Sequence, residues 1–203
     1  TLGNQVTDIN YDRLNTRGEG FNLPDFKDLS NTTNLFTNKN AYTRRLVGVF
    51  ADAKLNYKET LFLNVTARND WASTLPKDNR SFFYPSVNMG YIFTETMGAQ
   101  RDDFLSYGKL RASWAKVGKD ASPYVVGQYF EGTPGFPLNG IGGFKKSNSA
   151  GDLNLKPETT TSYEFGTDLR FWGNKIGVDL TYFQQASENQ IVSFLVSNPS
   201  GLS

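Results

Sequence analysis

The chain contains no cysteine and no histidine among its 203 residues. Disulfides and thiolate metal sites are therefore excluded. Ser-His-Asp and Cys-His catalysis cannot be assembled, and histidine-ligated zinc is out. Charge of one sign is also missing: the formal net charge is +1, which gives no electrostatic case for nucleic acid. No stretch approaches the ~18 consecutive apolar residues that a spanning helix needs. The opening Thr1-Leu2-Gly3-Asn4-Gln5 has neither the basic start nor the apolar run of a secretion signal, so an exported protein is expected to carry its start upstream. Nothing marks a catalytic carboxylate pair, a cofactor or a metal site. The adjacent Asp102 and Asp103 lack the spacing of a calcium loop.

Aromatics are plentiful, with 16 Phe, 10 Tyr and 3 Trp, alongside 19 glycines. Mean hydropathy is −0.47. That value fits a soluble protein, but it also fits a transmembrane barrel, whose strands alternate lipid-facing with lumen-facing residues. Residues 1–41 are polar and turn-rich and are expected to form a long loop, with a short helix near 25–29. After them, apolar residues recur at every second position in six segments: 44–57, 61–71, 83–94, 107–117, 161–172 and 175–184. A seventh is expected to begin near Gln190. These runs of ~10–14 residues exceed the ~5–6 of globular strands and match the ~9–11 needed to cross a bilayer at a tilt.

The two faces separate cleanly. Val47, Val49, Ala51, Ala53 and Leu55 alternate with Gly48, Phe50, Asp52, Lys54 and Asn56. Turn lengths predict Tyr57 opposite Leu61 and Phe171 opposite Ile176, and both registers keep each face pure. Arg170 then lies beside Asp168 and diagonal to Asp179, separating two carboxylates. Connections alternate between short (Lys58-Glu59-Thr60; Gly173-Asn174) and long (72–82; 118–160), as in outer-membrane barrels with periplasmic turns and extracellular loops. The 95–106 connection falls on the short side yet is long enough for a short helix. Tyr57, Trp71, Phe83, Tyr84, Phe93, Phe171 and Trp172 lie near strand ends, as interfacial girdles do.

Arg68-Asn69-Asp70, Ser73-Thr74-Leu75-Pro76, Asn79 and Phe83-Tyr84-Pro85-Ser86 resemble a hairpin of SusC/RagA-type TonB-dependent outer-membrane transporters. So do Lys109-Leu110-Arg111-Ala112-Ser113-Trp114-Ala115-Lys116-Val117-Gly118 and Leu155-Lys156-Pro157-Glu158, followed by Ser162, Glu164, Gly166 and Asp168. Asn174, Asp179-Leu180-Thr181-Tyr182 and Asn189-Gln190-Ile191 continue the ordered set. The resemblance implies an all-β, antiparallel transmembrane β-barrel segment with long extracellular loops, taken from a 22-stranded barrel with a plugged lumen. Residues 1–41 would then be an extracellular loop region and 42–203 a wall of six to seven strands, with plug and N-terminal regions absent. It further implies a bacterial outer membrane, surrounding lipid, TonB acting through the missing N-terminal part, a SusD-like surface lipoprotein, and a glycan or peptide substrate. Enzymatic activity is not expected.

On that reading Asp52, Lys54, Arg68, Asp70, Arg111, Glu164, Asp168 and Arg170 face the lumen. They either contact substrate or plug, or form a solvated polar wall with cross-strand charge pairs. Tyr124, Tyr129, Phe130, Phe136 and Phe144 in the long loop stack on sugar rings, pack against a lid, or pack on one another. Gly48, Gly90, Gly166 and Gly177 on the same face leave room for plug contact or allow curvature. The rival architecture is a soluble β-sandwich or lectin-like binding module, which would bury the apolar faces against a second sheet.

Overall fold

The computed structural model describes residues 1–100, 103–133, 136, 140–147 and 149–194. Strands β1 (Leu2–Phe21), β2 (Thr32–Tyr57), β3 (Leu61–Ala72), β4 (Ser81–Ile92), β5 (Leu105–Lys119), β8 (Glu158–Phe171) and β9 (Ile176–Glu188) form one antiparallel sheet. Its strand order is β1-β2-β3-β4-β5-β8-β9, so each strand pairs with its predecessor in this up-and-down series. The short hairpin β6 (Phe130–Gly132) and β7 (Phe144–Lys146) stands apart, within the long connection between β5 and β8. The anticipated helix in the β4–β5 connection is α1 (Phe93–Met97), closed by Gly98 in the left-handed region at φ 69°.

Both predicted registers are present: Tyr57 pairs with Leu61, and Phe171 with Ile176. The first turn is tight. Lys58 and Glu59 take φ of 50° and 56°, and the Thr60 amide donates to the Tyr57 carbonyl at 3.0 Å.

Residues 1–41 differ from expectation. They are not an irregular loop: β1 and the first part of β2 form a hairpin whose irregular tip covers only residues 22–31, with a 3-10 turn at Leu29–Asn31 in place of a helix at 25–29. β3 joins β2 only from Leu46 onward. Above that level the pairs Asp8–Arg45 through Phe21–Thr32 stand as a two-stranded ribbon, about 45 Å long at strand rise. Both faces of this ribbon are mostly polar, and neither packs against a core among the described residues. No period-2 signal therefore marked it.

The strand expected near Gln190 does not start there: β9 ends at Glu188, residues 189–194 are irregular, and the remainder lies outside the described residues. Asp102 lies outside them too.

No second sheet packs on the wall among the described residues. Val49, Leu55 and Leu180 on the apolar face are 50%, 58% and 61% exposed. The sandwich reading required that face to be buried. The buried core is instead a small cluster where loops fold over one end of the sheet: Ala72, Leu75, Phe82 and Ala121, flanked by Leu46, Tyr84, Leu155 and Ile191.

Candidate functional site

Period-2 alternation and the observed registers put all eight charged candidates on one face: Asp52 and Lys54 on β2, Arg68 and Asp70 on β3, Arg111 on β5, and Glu164, Asp168 and Arg170 on β8. They do not converge on one centre. Arg68 Nε donates to Asp70 Oδ1 at 2.7 Å, and Tyr84 Oη donates to the other carboxylate oxygen. Arg68 also reaches Gln5 Oε1 at 3.0 Å and lies 5.8 Å from the centre of the Phe50 ring. Asp70 is only 3% exposed. A carboxylate so buried is held by paired, charge-assisted bonds.

Farther along the sheet, Arg170 lies 3.6 Å from Asp168 and over the Tyr107 ring at 5.4 Å. It does not mediate between Asp168 and Asp179. Asp179 is taken by Arg111, which reaches across β8 from β5 and donates at 2.6 Å, with Thr181 at 3.3 Å.

Arg111 gets there over Gly166, where an added Cβ would sit 3.0 Å from its Nη2. The same device recurs twice. Arg68 and Asp70 overlie Gly48, and Lys109 overlies Gly90 on its way to the Phe62 ring, 5.7 Å from the ring centre. The room left by these glycines is thus taken by the neighbouring strand's own side chains. At Gly177 nothing lies within 4 Å.

Lys54 and Glu164 keep no partner among the described residues. They border a concavity of about 560 Å³ on this face, together with Asn64, Asn88 and Ser113. These three neutral residues were not among the candidates, since neutral polar residues on a wetted strand face carry no signal of their own.

A second cluster was also unforeseen. At the rim, Arg44 donates to both oxygens of Asp120, at 2.8 and 2.6 Å, and Thr74 Oγ1 adds a bond at 2.7 Å. Three segments meet there: the root of the ribbon, the β3–β4 loop and the start of the long loop after β5. Burial pushes the Asp120 carboxyl up, but the bonds from Arg44 and Thr74 outweigh it and hold the group below the usual carboxylate range.

The loop aromatics form no single platform. Tyr124 and Tyr129 meet edge to face at 5.7 Å. Phe136 lies against Gly143. Phe130 and Phe144 project from β6 and β7, 76% and 75% exposed. Of the strand-end aromatics, Tyr84 turns to the polar face and Phe93 enters α1 and packs over Gly108. Phe104, Phe171 and Trp172 form a contiguous cluster beside the β8–β9 turn. No group of three or more potential metal ligands occurs among the described residues.

The family model for the TonB dependent receptor-like β-barrel matches residues 1–203. TonB-dependent receptor P26 of Formosa agariphila is 26% identical over 184 residues, covering 87% of this chain and 18% of that protein. TonB-dependent receptor SusC of Bacteroides thetaiotaomicron is 30% identical over 161 residues, covering 73% of this chain and 16% of that protein. The chain therefore spans about a sixth of the length of these curated relatives. Among solved structures, the RagAB peptide transporter superposes with a TM-score of 0.85 at 16% identity, over 99% of this chain and 22% of that one.

Proposed function

Because the chain belongs to the TonB-dependent receptor β-barrel family and is of the SusC/RagA type, we propose that it is a stretch of the wall of a bacterial outer-membrane importer. The apolar face meets lipid and the polar face lines the lumen. The turns at Lys58-Glu59-Thr60 and Gly173-Asn174 are periplasmic, while the ribbon and the 72–82 and 118–160 loops are extracellular. The whole protein takes up oligosaccharides or peptides, is energised through TonB and acts with a SusD-like surface lipoprotein. It is not an enzyme. The eight charged residues serve as lumen wall, contacting plug or passing substrate, and the exposed loop aromatics serve as capture surface.

One observation carries this reading: a long two-faced sheet whose apolar side has nothing over it among the described residues. On β3 the apolar face runs from Leu61 to Trp71, roughly 33 Å along the strand, or about 25 Å of bilayer at the usual barrel tilt. That matches the height of an outer-membrane apolar band. Trp71 and Phe83 stand at one edge, and Tyr57, Phe171 and Trp172 at the other.

Cysteine labelling of the full-length protein in its membrane tests it. Substitutions at Val65, Met89 and Leu110 are expected to react with lipid-soluble probes and resist aqueous ones. Free aqueous labelling at these positions would overturn the orientation. Uptake assays with labelled oligosaccharides and peptides then decide the substrate class.

A further inference from the structure

Below the ribbon, the apolar face of the wall strands carries no charged side chain among the described residues except Lys116 on β5 and Glu188 at the end of β9. Alternation fixes the side: Lys116 follows Leu110, Ala112 and Trp114 along β5 and pairs with Thr161 on β8. Lys119, nearer the rim, falls on the polar face and is held by Glu158 at 3.2 Å. Lys116 makes no ion pair or hydrogen bond among the described residues. Glu188 stands beyond β8, one row nearer the rim, and does not reach it.

Lys116 lies at the rim-side edge of the apolar band. Ser86 pairs with Ala115, which sets Pro85 beside Lys116 and Phe83 one row rimward. Tyr163 lies diagonal to it on β8. Phe83 and Tyr163 are 57% and 47% exposed. The cost of a cation on a lipid-facing strand falls away at such an edge, where a lysine lays its stem on apolar surface and lifts its ammonium to the headgroups. Polar neighbours gather on the same face. Thr161 is beside Lys116, Thr159 is one row rimward, and Gln184 on β9 is beside Tyr163. None of these three side chains bonds another protein group among the described residues. At strand spacing and rise the patch measures about 10 Å across β5, β8 and β9 and about 14 Å along them.

We propose that this patch binds the phosphorylated sugar headgroup of an outer-leaflet glycolipid, with Lys116 on the phosphate and Thr159, Thr161 and Gln184 on sugar hydroxyls. The inference rests on the barrel reading above, which turns this face to lipid and this end of the wall outward.

Three physical points select the occupant. An unpaired ammonium at headgroup level attracts an anion, and its bonds to a phosphate are charge-assisted. Threonine hydroxyls and a carboxamide both donate and accept, which matches sugar hydroxyls. The patch is also wide: Gln184 stands roughly 12 Å from Lys116 at the backbone. A phospholipid headgroup answers the lysine but is too small to reach the glutamine, whereas a phosphorylated disaccharide spans both.

The test uses the full-length transporter, stripped of lipid in detergent and incubated with monophosphoryl lipid A. Native mass spectrometry reads how firmly the most tightly held copy stays bound. Dephosphorylated lipid A and phosphatidylglycerol run in parallel, and each is expected to be held severalfold less firmly. Lys116→Gln is expected to lower retention of monophosphoryl lipid A severalfold, and Lys116→Arg to keep it. Thr161→Val is expected to weaken it without abolishing it. Lys58→Gln, at the opposite end of the wall, is expected to leave it unchanged. Unaltered retention in Lys116→Gln would overturn the proposal. So would an equal loss in Lys58→Gln, which would mean unspecific attraction, or equal retention of phosphatidylglycerol, which would mean a bare charge contact. Heat-modifiable gel migration establishes that each variant is folded. Aqueous labelling of cysteines at Met89 and Leu110 counts against the barrel orientation itself, while lipid-facing labels with unaltered retention in Lys116→Gln count against the headgroup site alone.

Discussion

Glycines on the polar face show how much a single missing methyl can matter. At Gly48 an added Cβ would lie 2.3 Å from Asp70 Oδ1 and 2.6 Å from Arg68 Nη2. Gly48→Ala is expected to push the Arg68–Asp70 pair aside and cost about 1–3 kcal/mol, as overpacking does. The readout is a lower midpoint for denaturant unfolding of the full-length barrel. Gly177→Ala is the control, because open space surrounds that position; equal losses at both sites would show that backbone freedom, not the crossing side chain, is what matters. The alternation of the sequence already put Arg68, Asp70, Arg111 and Asp179 on one face. It did not reveal that Arg111 passes Gly166 to reach Asp179, since that depends on side-chain reach across two strands. Asp120 supplies a pH prediction. Its carboxyl is depressed in the folded state, so its contribution is present above the unfolded value near 4 and disappears as pH falls through the folded value. Acidification through that depressed value, below the ordinary carboxylate range, is expected to release the Arg44–Asp120–Thr74 contact. Faster hydrogen exchange at residues 73–79 would register it, and Asp120→Asn is expected to give that exchange already at neutral pH. Unchanged exchange in that variant would mean the contact does not hold the loop.

Among the elements, legibility followed the alternation of the faces. Strands β2 to β5, β8 and β9 were readable because each carries an apolar face and a polar face, which imposes a period of two. The ribbon formed by β1 and the first part of β2 was not, because polar residues fall on both of its faces. Its pairing is reinforced by Asp8–Arg45 and Asp12–Lys39 ion pairs and by the stacked rings of Tyr11 and Tyr42, with centroids 4.8 Å apart. The tip depends on Asn31, 7% exposed, whose amide donates to the Leu23 and Phe26 carbonyls at 2.8 and 2.6 Å and accepts from the Leu23 amide at 3.1 Å. Asn31→Ala is expected to cost the tip about 1–3 kcal/mol by leaving those backbone groups unpaired. Proteolysis at residues 22–28 should quicken while the wall strands keep their protection. If cleavage stays slow, the tip is held by something other than Asn31.

For the molecule as a whole, the sheet has among the described residues two free edges, β1 and β9, and an uncovered apolar face. Residues 1–203 expressed alone in water are expected to aggregate, since unpaired edges and lipid-compatible surface both invite association. Size-exclusion chromatography and thermal melting decide it, and a monodisperse monomer with a cooperative melt would count against the membrane reading. The ribbon has a mechanical consequence of its own. Among the described residues it is held at its root, where Arg44 meets Asp120 and the Arg45 backbone meets Ser73, and it reaches about 45 Å beyond the wall at strand rise. It is therefore a lever with its fulcrum at the rim. A tilt of about ten degrees at the root, small for a twisted two-stranded ribbon, carries the tip sideways by roughly 8 Å. A displacement at the fulcrum too small to alter the wall is thus amplified into one large enough, at the tip, to make or break a contact at the mouth.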